Sequence, residues 1–220
     1  VVNGLDLAAY YETSRYAGGD YYDFWELPDG RIGILVADAE GHSSPAAVLM
    51  AITCALFHSF DRNPGDPSAL LVHLNRYLCQ LAEPSFVTAL YAIYDPQTRN
   101  LQAGRAGHGH PVVFETAAGR AREWEIPGVT PLGIYDFETV PVSEIQLHTG
   151  DRFLLYTDGI SERFDASGAL YGEEQVVESF GRVAGTTAQD MAEVLMRDVD
   201  RFAGERPADD DQALVLGVVG

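Results

Sequence analysis

The chain has 220 residues, 33 of them acidic and 14 basic, for a formal charge of −19. That length suits a single domain with a sizeable buried core, and that charge opposes a nucleic-acid partner, whose phosphates are held by clustered cations. No run reaches the ~20 apolar residues of a membrane span and the N-terminus lacks a signal pattern. Cys54 and Cys79 lie in apolar helical patterns and read as small buried side chains, so a cytoplasmic protein with no membrane insertion is expected.

In chain order, loose alternation over 5–11 predicts a first strand and 22–27 a second, with Pro28, Asp29 and Gly30 turning the chain back. Ile32, Ile34, Leu35 and Val36 form a β-branched run that reads as a buried strand, and it runs into Asp38, a carboxylate that a core does not favour. The hairpin is expected to bring Asp20, Asp23 and Asp38 to one sheet edge. Gly41 permits a turn, Ser43 or Ser44 caps the next helix over 44–60, and Pro45 suits its first position. Asp66 caps a second helix over 67–81, with Leu70, Leu71, Leu74, Leu78 and Leu81 on one face.

Residues 86–94 and 101–106 read as a hairpin, and 111–114, 121–126 and 140–147 as further short strands. The apolar run 152–156 leads into Thr157, Asp158 and Gly159, repeating the strand-then-Asp arrangement of Asp38. A helix over 187–202 and a strand over 213–219 close the chain, the latter just after Asp209, Asp210 and Asp211. Many antiparallel strands and few helices predict an α+β fold of two sheets packed together with helices outside.

Carboxylates at one edge repel one another unless a cation is present, so Asp20, Asp38, Asp158 and Asp210 at strand boundaries point to bound divalent metal. All-oxygen ligands favour Mg²⁺ or Mn²⁺ over Zn²⁺. Two such ions ~3.5–4 Å apart would activate a water and clamp phosphoryl oxygens, with no nucleophilic side chain required.

The segments AGGDYYDF (17–24), DAEGHSSPAAVLMA (38–51), FVTALYAIYDPQTRNLQAGRAGH (86–108), PLGI (131–134), GDRFLLYTDGISE (150–162) and DDQALVLGVV (210–219) resemble, in order and over nearly the whole chain, the bacterial SpoIIE/RsbU group of PPM-type, PP2C-like serine/threonine phosphatases. The resemblance implies an αββα sandwich with two Mn²⁺ or Mg²⁺ ions at one edge. It makes Asp20 the metal Asp of GGD, Asp38 the bridging Asp with the Ala39 carbonyl as a further ligand, Asp158 the metal Asp of TDG, and Asp210 the tail ligand with Asp211 beside it. Two positions depart from the family pattern: Ser43 stands where Gly is usual, and Ala213 where Thr is usual. Arg15 lies where related phosphatases carry a phosphate-binding Arg, whose guanidinium can grip phosphate bidentately.

His42, His108 and His110 read as turn residues without a ligand role, and Tyr21, Tyr22, Phe24 and Trp25 as packing beside the site. The resemblance implies a phosphorylated STAS-type anti-sigma-factor antagonist as substrate, residues 1–220 as one phosphatase domain of a longer regulatory protein, and an upstream sensor domain as partner; a homodimer is also open. The segment 43–56, joined to Asp38 by a short turn, is expected to transmit regulation. The alternative function is a weakly active or inactive binding module, kept open by Ser43 and Ala213. A diguanylate cyclase, suggested by GGDYYDF, is disfavoured because its motif should follow helices that this chain lacks before Gly18.

Overall fold

Strand β1 (Leu5–Glu12) is followed by the hairpin β2 (Asp20–Glu26) and β3 (Ile32–Ala39), helices α1 (Ser44–His58) and α2 (Pro67–Leu81), and the hairpin β4 (Val87–Asp95) and β5 (Asn100–Ala106). Short strands β6 (Val112–Glu115), β7 (Arg120–Glu123), β8 (Gly128–Val129), β9 (Val142–Gln146) and β10 (Arg152–Tyr156) lead to the single-turn α3 (Asp158–Ser161), then α4 (Glu173–Arg182), α5 (Ala188–Ala203) and the last strand β11 (Gln212–Val219). This computed structural model describes residues 4–14, 18–41, 44–60, 65–81 and 85–220. The architecture is α+β, with two mainly antiparallel sheets and helices against each. No described helix is long and apolar enough to cross a membrane.

Contacts divide the chain into two units, each built on one sheet. The first holds the order β2-β3-β4-β5-β8, with β9 also on β5; all its pairs are antiparallel except β5 with β8. Side chains alternate across a strand, so Leu35, Ala37 and Ala39 of β3 pack with Leu49, Met50 and Phe57 of α1 and with Leu70, Leu71, Leu74 and Leu78 of α2. Each such fully buried Leu contributes about 2 kcal/mol relative to exposure. Ile34 and Val36, on the other face of β3, are buried as well, which explains an apolar run without alternation. Asp66 caps α2 as expected, its Oδ1 accepting from the Ser68 and Ala69 amides at 2.9 and 3.3 Å. Leu81, expected on the apolar stripe, is 57 % exposed where that helix ends. The turn at Pro28 to Gly30 is closed by Gly30 N donating to Leu27 O at 2.8 Å.

The second unit holds the order β1-β11-β10-β6-β7, all antiparallel. Leu154, Leu214 and Leu216 pack with Val176 and Phe180 of α4 and with Ala192, Leu195, Met196 and Val199 of α5. Thr187 caps α5 in a reciprocal box with Asp190. Helix α4 has no counterpart in the sequence reading: it is short, bounded by Gly172 and with Gly181 in its last turn, and its apolar side is Val176 and Phe180 with Val177 beside them. The two-residue β8 and single-turn α3 are likewise too short for periodicity to reveal.

Candidate metal and phosphate site

In the first unit the antiparallel register sets Asp20 directly opposite Asp38 at the end of the β2–β3 ladder. Both carboxylates therefore lie on the face opposite α1 and α2, with Asp20 buried at 6 % exposure and Asp38 half-buried. Asp23 does not join them, which corrects the expected trio. It pairs with Leu35, an odd number of residues from Asp20, so the pleat turns it to the helix-covered face. There its Oδ2 accepts from Tyr21 Oη at 2.9 Å and lies 3.2 Å from His58 Nε2. Burial, then the bonds to Cys54 and Asp23, push the Tyr21 phenol up. Trp25 stacks on Tyr91 at 5.7 Å and meets Phe57 edge-on at 4.4 Å, so Tyr21 and Trp25 are packing residues here.

The chain leaving Asp38 is tied back at once. Ala39 N donates to Gly19 O at 3.0 Å and Glu40 N to Phe86 O at 2.9 Å. A Cβ on Gly19 would lie 2.8 Å from the Ala39 carbonyl oxygen and 2.9 Å from that of Gly41, so only glycine lets GGD approach the loop after Asp38 this closely. On the other side of Asp38 its register partner is Thr88, whose Oγ1 lies 2.8 Å from Nδ1 of the buried His108. Arg105 Nη1 donates to the His108 carbonyl at 2.7 Å. His108 is thus a buried structural residue, in keeping with its reading as a turn. His42, Ser43 and Arg15 lie outside the described residues.

In the second unit β10 delivers Thr157 and Asp158 beside the start of β11. Thr157 Oγ1 accepts from Ala213 N at 2.9 Å and donates to Ala213 O at 3.3 Å, and Gln212 Nε2 donates to Gly159 O at 3.1 Å. A Cβ on Gly159 would sit 1.8 Å from the Asp211 carbonyl oxygen, so the TDG glycine is required for the two segments to touch. Ala213, where the family has Thr, is fully buried and keeps its ladder place opposite Tyr11.

Asp158 retains solvent exposure among surrounding protein groups, and desolvation, then the Glu162 and Asp210 carboxylates, push its pKa up to about 6. Asp210 is half-buried, with Oδ1 accepting from Asp211 N at 2.8 Å. Asp211 is 1 % exposed and its Oδ1 accepts from Ser14 N at 2.7 Å and Ser14 Oγ at 3.2 Å, an anchoring role. Asp209 is exposed and pairs with Arg206 at 2.8 Å, as a solvated neighbour should. Glu162 is the acidic residue that sequence reasoning passed over; it ends the quoted TDG segment, one helical turn after Asp158.

Among the described residues no three or more His, Cys, Asp and Glu side chains gather tightly enough to hold an ion. The donor chemistry nonetheless fits hard cations. Asp20 stands opposite Asp38 in the ladder, and Asp158 feels the charges of Glu162 and Asp210, so the donors offered are carboxylate oxygens rather than thiolate or imidazole.

Comparison with known proteins identifies the fold and the family. Phosphoserine phosphatase RsbU of Bacillus subtilis is 29 % identical over 170 residues, 76 % of this chain and 49 % of that protein. Phosphoserine phosphatase RsbP of the same organism is 24 % identical over 163 residues, 72 % of this chain and 40 % of that protein, so the chain spans about half or less of these relatives. Among solved structures, the RsbU and RsbW domains of a Mycobacterium tuberculosis protein superpose with a TM-score of 0.85 at 26 % identity, over 100 % of this chain and 61 % of that one. The SiaA-PP2C domain of Pseudomonas aeruginosa shares the fold, with a TM-score of 0.84 at 22 % identity over 97 % of this chain and 85 % of that one. The family described as Stage II sporulation protein E (SpoIIE) matches residues 28–218, and the chain belongs to it.

Proposed function

We propose that residues 1–220 act as one metal-dependent phosphatase domain that hydrolyses phosphoserine or phosphothreonine on a regulatory protein. The observation that carries this reading is the setting of Asp158 beside Glu162 and Asp210, where burial, then those two carboxylates, lift its pKa to about 6, and where a divalent cation would relieve the repulsion. Asp20, Asp38 with the Ala39 carbonyl, Asp158 and Asp210 would hold two Mn²⁺ or Mg²⁺ ions, with Asp211 supporting Asp210. Bound there, the ions would supply Lewis acidity to a water and to phosphoryl oxygens.

The chain's own part is to hold these oxygens ready. The β2–β3 register fixes Asp20 against Asp38, and the contacts of Thr157, Gly159 and Gln212 fix the start of α3 against the Asp210 segment. Arg15, assigned from sequence alone, would bind the substrate phosphate. Similarity to RsbU and RsbP, both phosphoserine phosphatases, supports the substrate class. A phosphorylated STAS-type regulator is the proposed substrate, and an upstream sensor domain the proposed partner. The free Cys54 and Cys79 suit a cytoplasmic setting.

The test is hydrolysis of a phosphoserine peptide with Mn²⁺ or with excess chelator. Turnover should require the metal; full turnover in chelator would overturn the reading.

A further inference from the structure

The loop that delivers Asp210 is held by two arginines that the mechanism above does not use. Arg163, just beyond α3, is 7 % exposed. Its Nη1 donates to the Pro207 carbonyl at 2.5 Å and its Nη2 to the Arg206 carbonyl at 2.6 Å. Arg206 reaches back: Nη1 donates to the Asp165 carbonyl at 3.2 Å, Nη2 to Asp209 at 2.8 Å, and its guanidinium lies 5.0 Å from the Phe164 ring centroid. The segment after Asp158 and the segment before Asp210 are thus cross-stapled in both directions.

Stability alone is a poor reason for this arrangement. Burying a guanidinium is costly, and although the Asp200 carboxylate interacts with Arg163 through its charge, the hydrogen bonds of the fork go to neutral carbonyls, which return less than bonds to a carboxylate would. Arg163 Nε is also buried without a hydrogen-bond partner. What a planar fork does well is fix two adjacent carbonyls in one orientation, which a lysine cannot reproduce. Those carbonyls belong to residues just upstream of Asp210, whose carboxylate needs a set distance from Asp158 if both are to serve one cation.

We propose that Arg163 is a positioning residue for Asp210: it sets the 206–209 loop so that the Asp210 and Asp158 carboxylates are preorganised for a divalent cation, with Arg206 as its reciprocal clamp. This rests on the metal-dependent reading of the site. Arg152 provides an internal control in the same unit. It too is buried, at 8 % exposure, and donates from Nη2 to the Phe180 carbonyl at 3.2 Å, but it braces α4 and touches no carboxylate-bearing loop.

The experiment measures Mn²⁺ affinity by electron paramagnetic resonance of free Mn²⁺, together with melting temperature in chelator, for wild type, Arg163→Lys, Arg206→Gln and Arg152→Lys. Arg163→Lys should weaken Mn²⁺ binding about tenfold or more, the usual effect of losing a group that orients a metal ligand. Arg206→Gln, a change at a more exposed residue, should weaken it in the same direction. Arg152→Lys should lower the melting temperature while leaving Mn²⁺ affinity within about twofold, since it perturbs no ligand. Wild-type affinity in both Arg163→Lys and Arg206→Gln, or equal losses in Arg152→Lys, would overturn the positioning role and leave the metal site standing. A wild-type chain that binds no Mn²⁺ would instead overturn the metal reading and this inference with it.

Discussion

At the scale of single residues, the paired carboxylates make the sharpest expectations. Asp38→Asn and Asp158→Asn keep shape but remove charge, and each should lower metal-dependent turnover by about 10²-fold or more, with the far-ultraviolet circular dichroism of the folded chain retained. Near-normal turnover at saturating Mn²⁺ would exclude the substituted residue as a ligand. Asp158 also sets a pH dependence in chelator. Its folded pKa of about 6 lies above the ordinary 3.8, raised by burial and then by Glu162 and Asp210, so the folded chain binds this proton more tightly than the unfolded one. The stability it contributes is fully present below 3.8 and is lost as pH rises through about 6. The difference in melting temperature between Asp158→Asn and wild type should therefore grow in favour of the variant from about pH 4 to pH 7, and parallel curves would refute the assignment. Mn²⁺ binding should run the other way, weakening below about pH 6 as the carboxylate protonates.

At the scale of elements, the junction of α3 with the start of β11 is the tightest approach at either carboxylate group. Gly159→Ala would place a Cβ 1.8 Å from the Asp211 carbonyl oxygen, against backbone that cannot step aside cheaply. A loss of about 3 kcal/mol in urea denaturation is expected, at the upper end of ordinary overpacking. By contrast Thr187→Ala, which removes the reciprocal cap of α5, should cost about 1 kcal/mol and leave turnover unchanged, because that helix end bears none of the proposed ligands. A Gly159→Ala chain as stable as Thr187→Ala would show that the turn can relax. Helices α2 and α5 were legible in the sequence because their apolar stripes are long, and α2 also because Asp66 marks its start. Helix α4 was not, because its apolar signal amounts to three residues between glycines.

At the scale of the whole molecule, the proposed ligands come from separate strand ends and should couple metal binding to folding. A cation that binds only the folded chain raises its stability by mass action, about 2.7 kcal/mol at a hundredfold excess over Kd. The melting temperature should therefore rise with Mn²⁺ in wild type and rise little in Asp38→Asn. An equal rise in both would mean that the ions bind elsewhere on this acidic surface. The formal charge of −19 makes such diffuse binding the proper control, and added monovalent salt should remove it while sparing a built site.

What the sequence by itself determined is whatever local pattern encodes: the apolar runs that become β3, β10 and β11, the turn at Pro28 to Gly30, the cap at Asp66, and carboxylates placed where those strands end. It also carried the family, because six motifs in order are a one-dimensional signal. Only the tertiary structure decided how these parts divide their roles. Asp20 and Asp38 face each other while Asp23 turns to the helices, because strand register and the two-residue pleat assign faces. Asp211 anchors rather than projects, because Ser14, from the far end of the chain, occupies its carboxylate. Glu162, Arg163 and Arg206 acquire their parts only where the segment after α3 meets the loop before β11. These are contacts between residues distant in sequence, set by packing and register, and local periodicity holds no record of them.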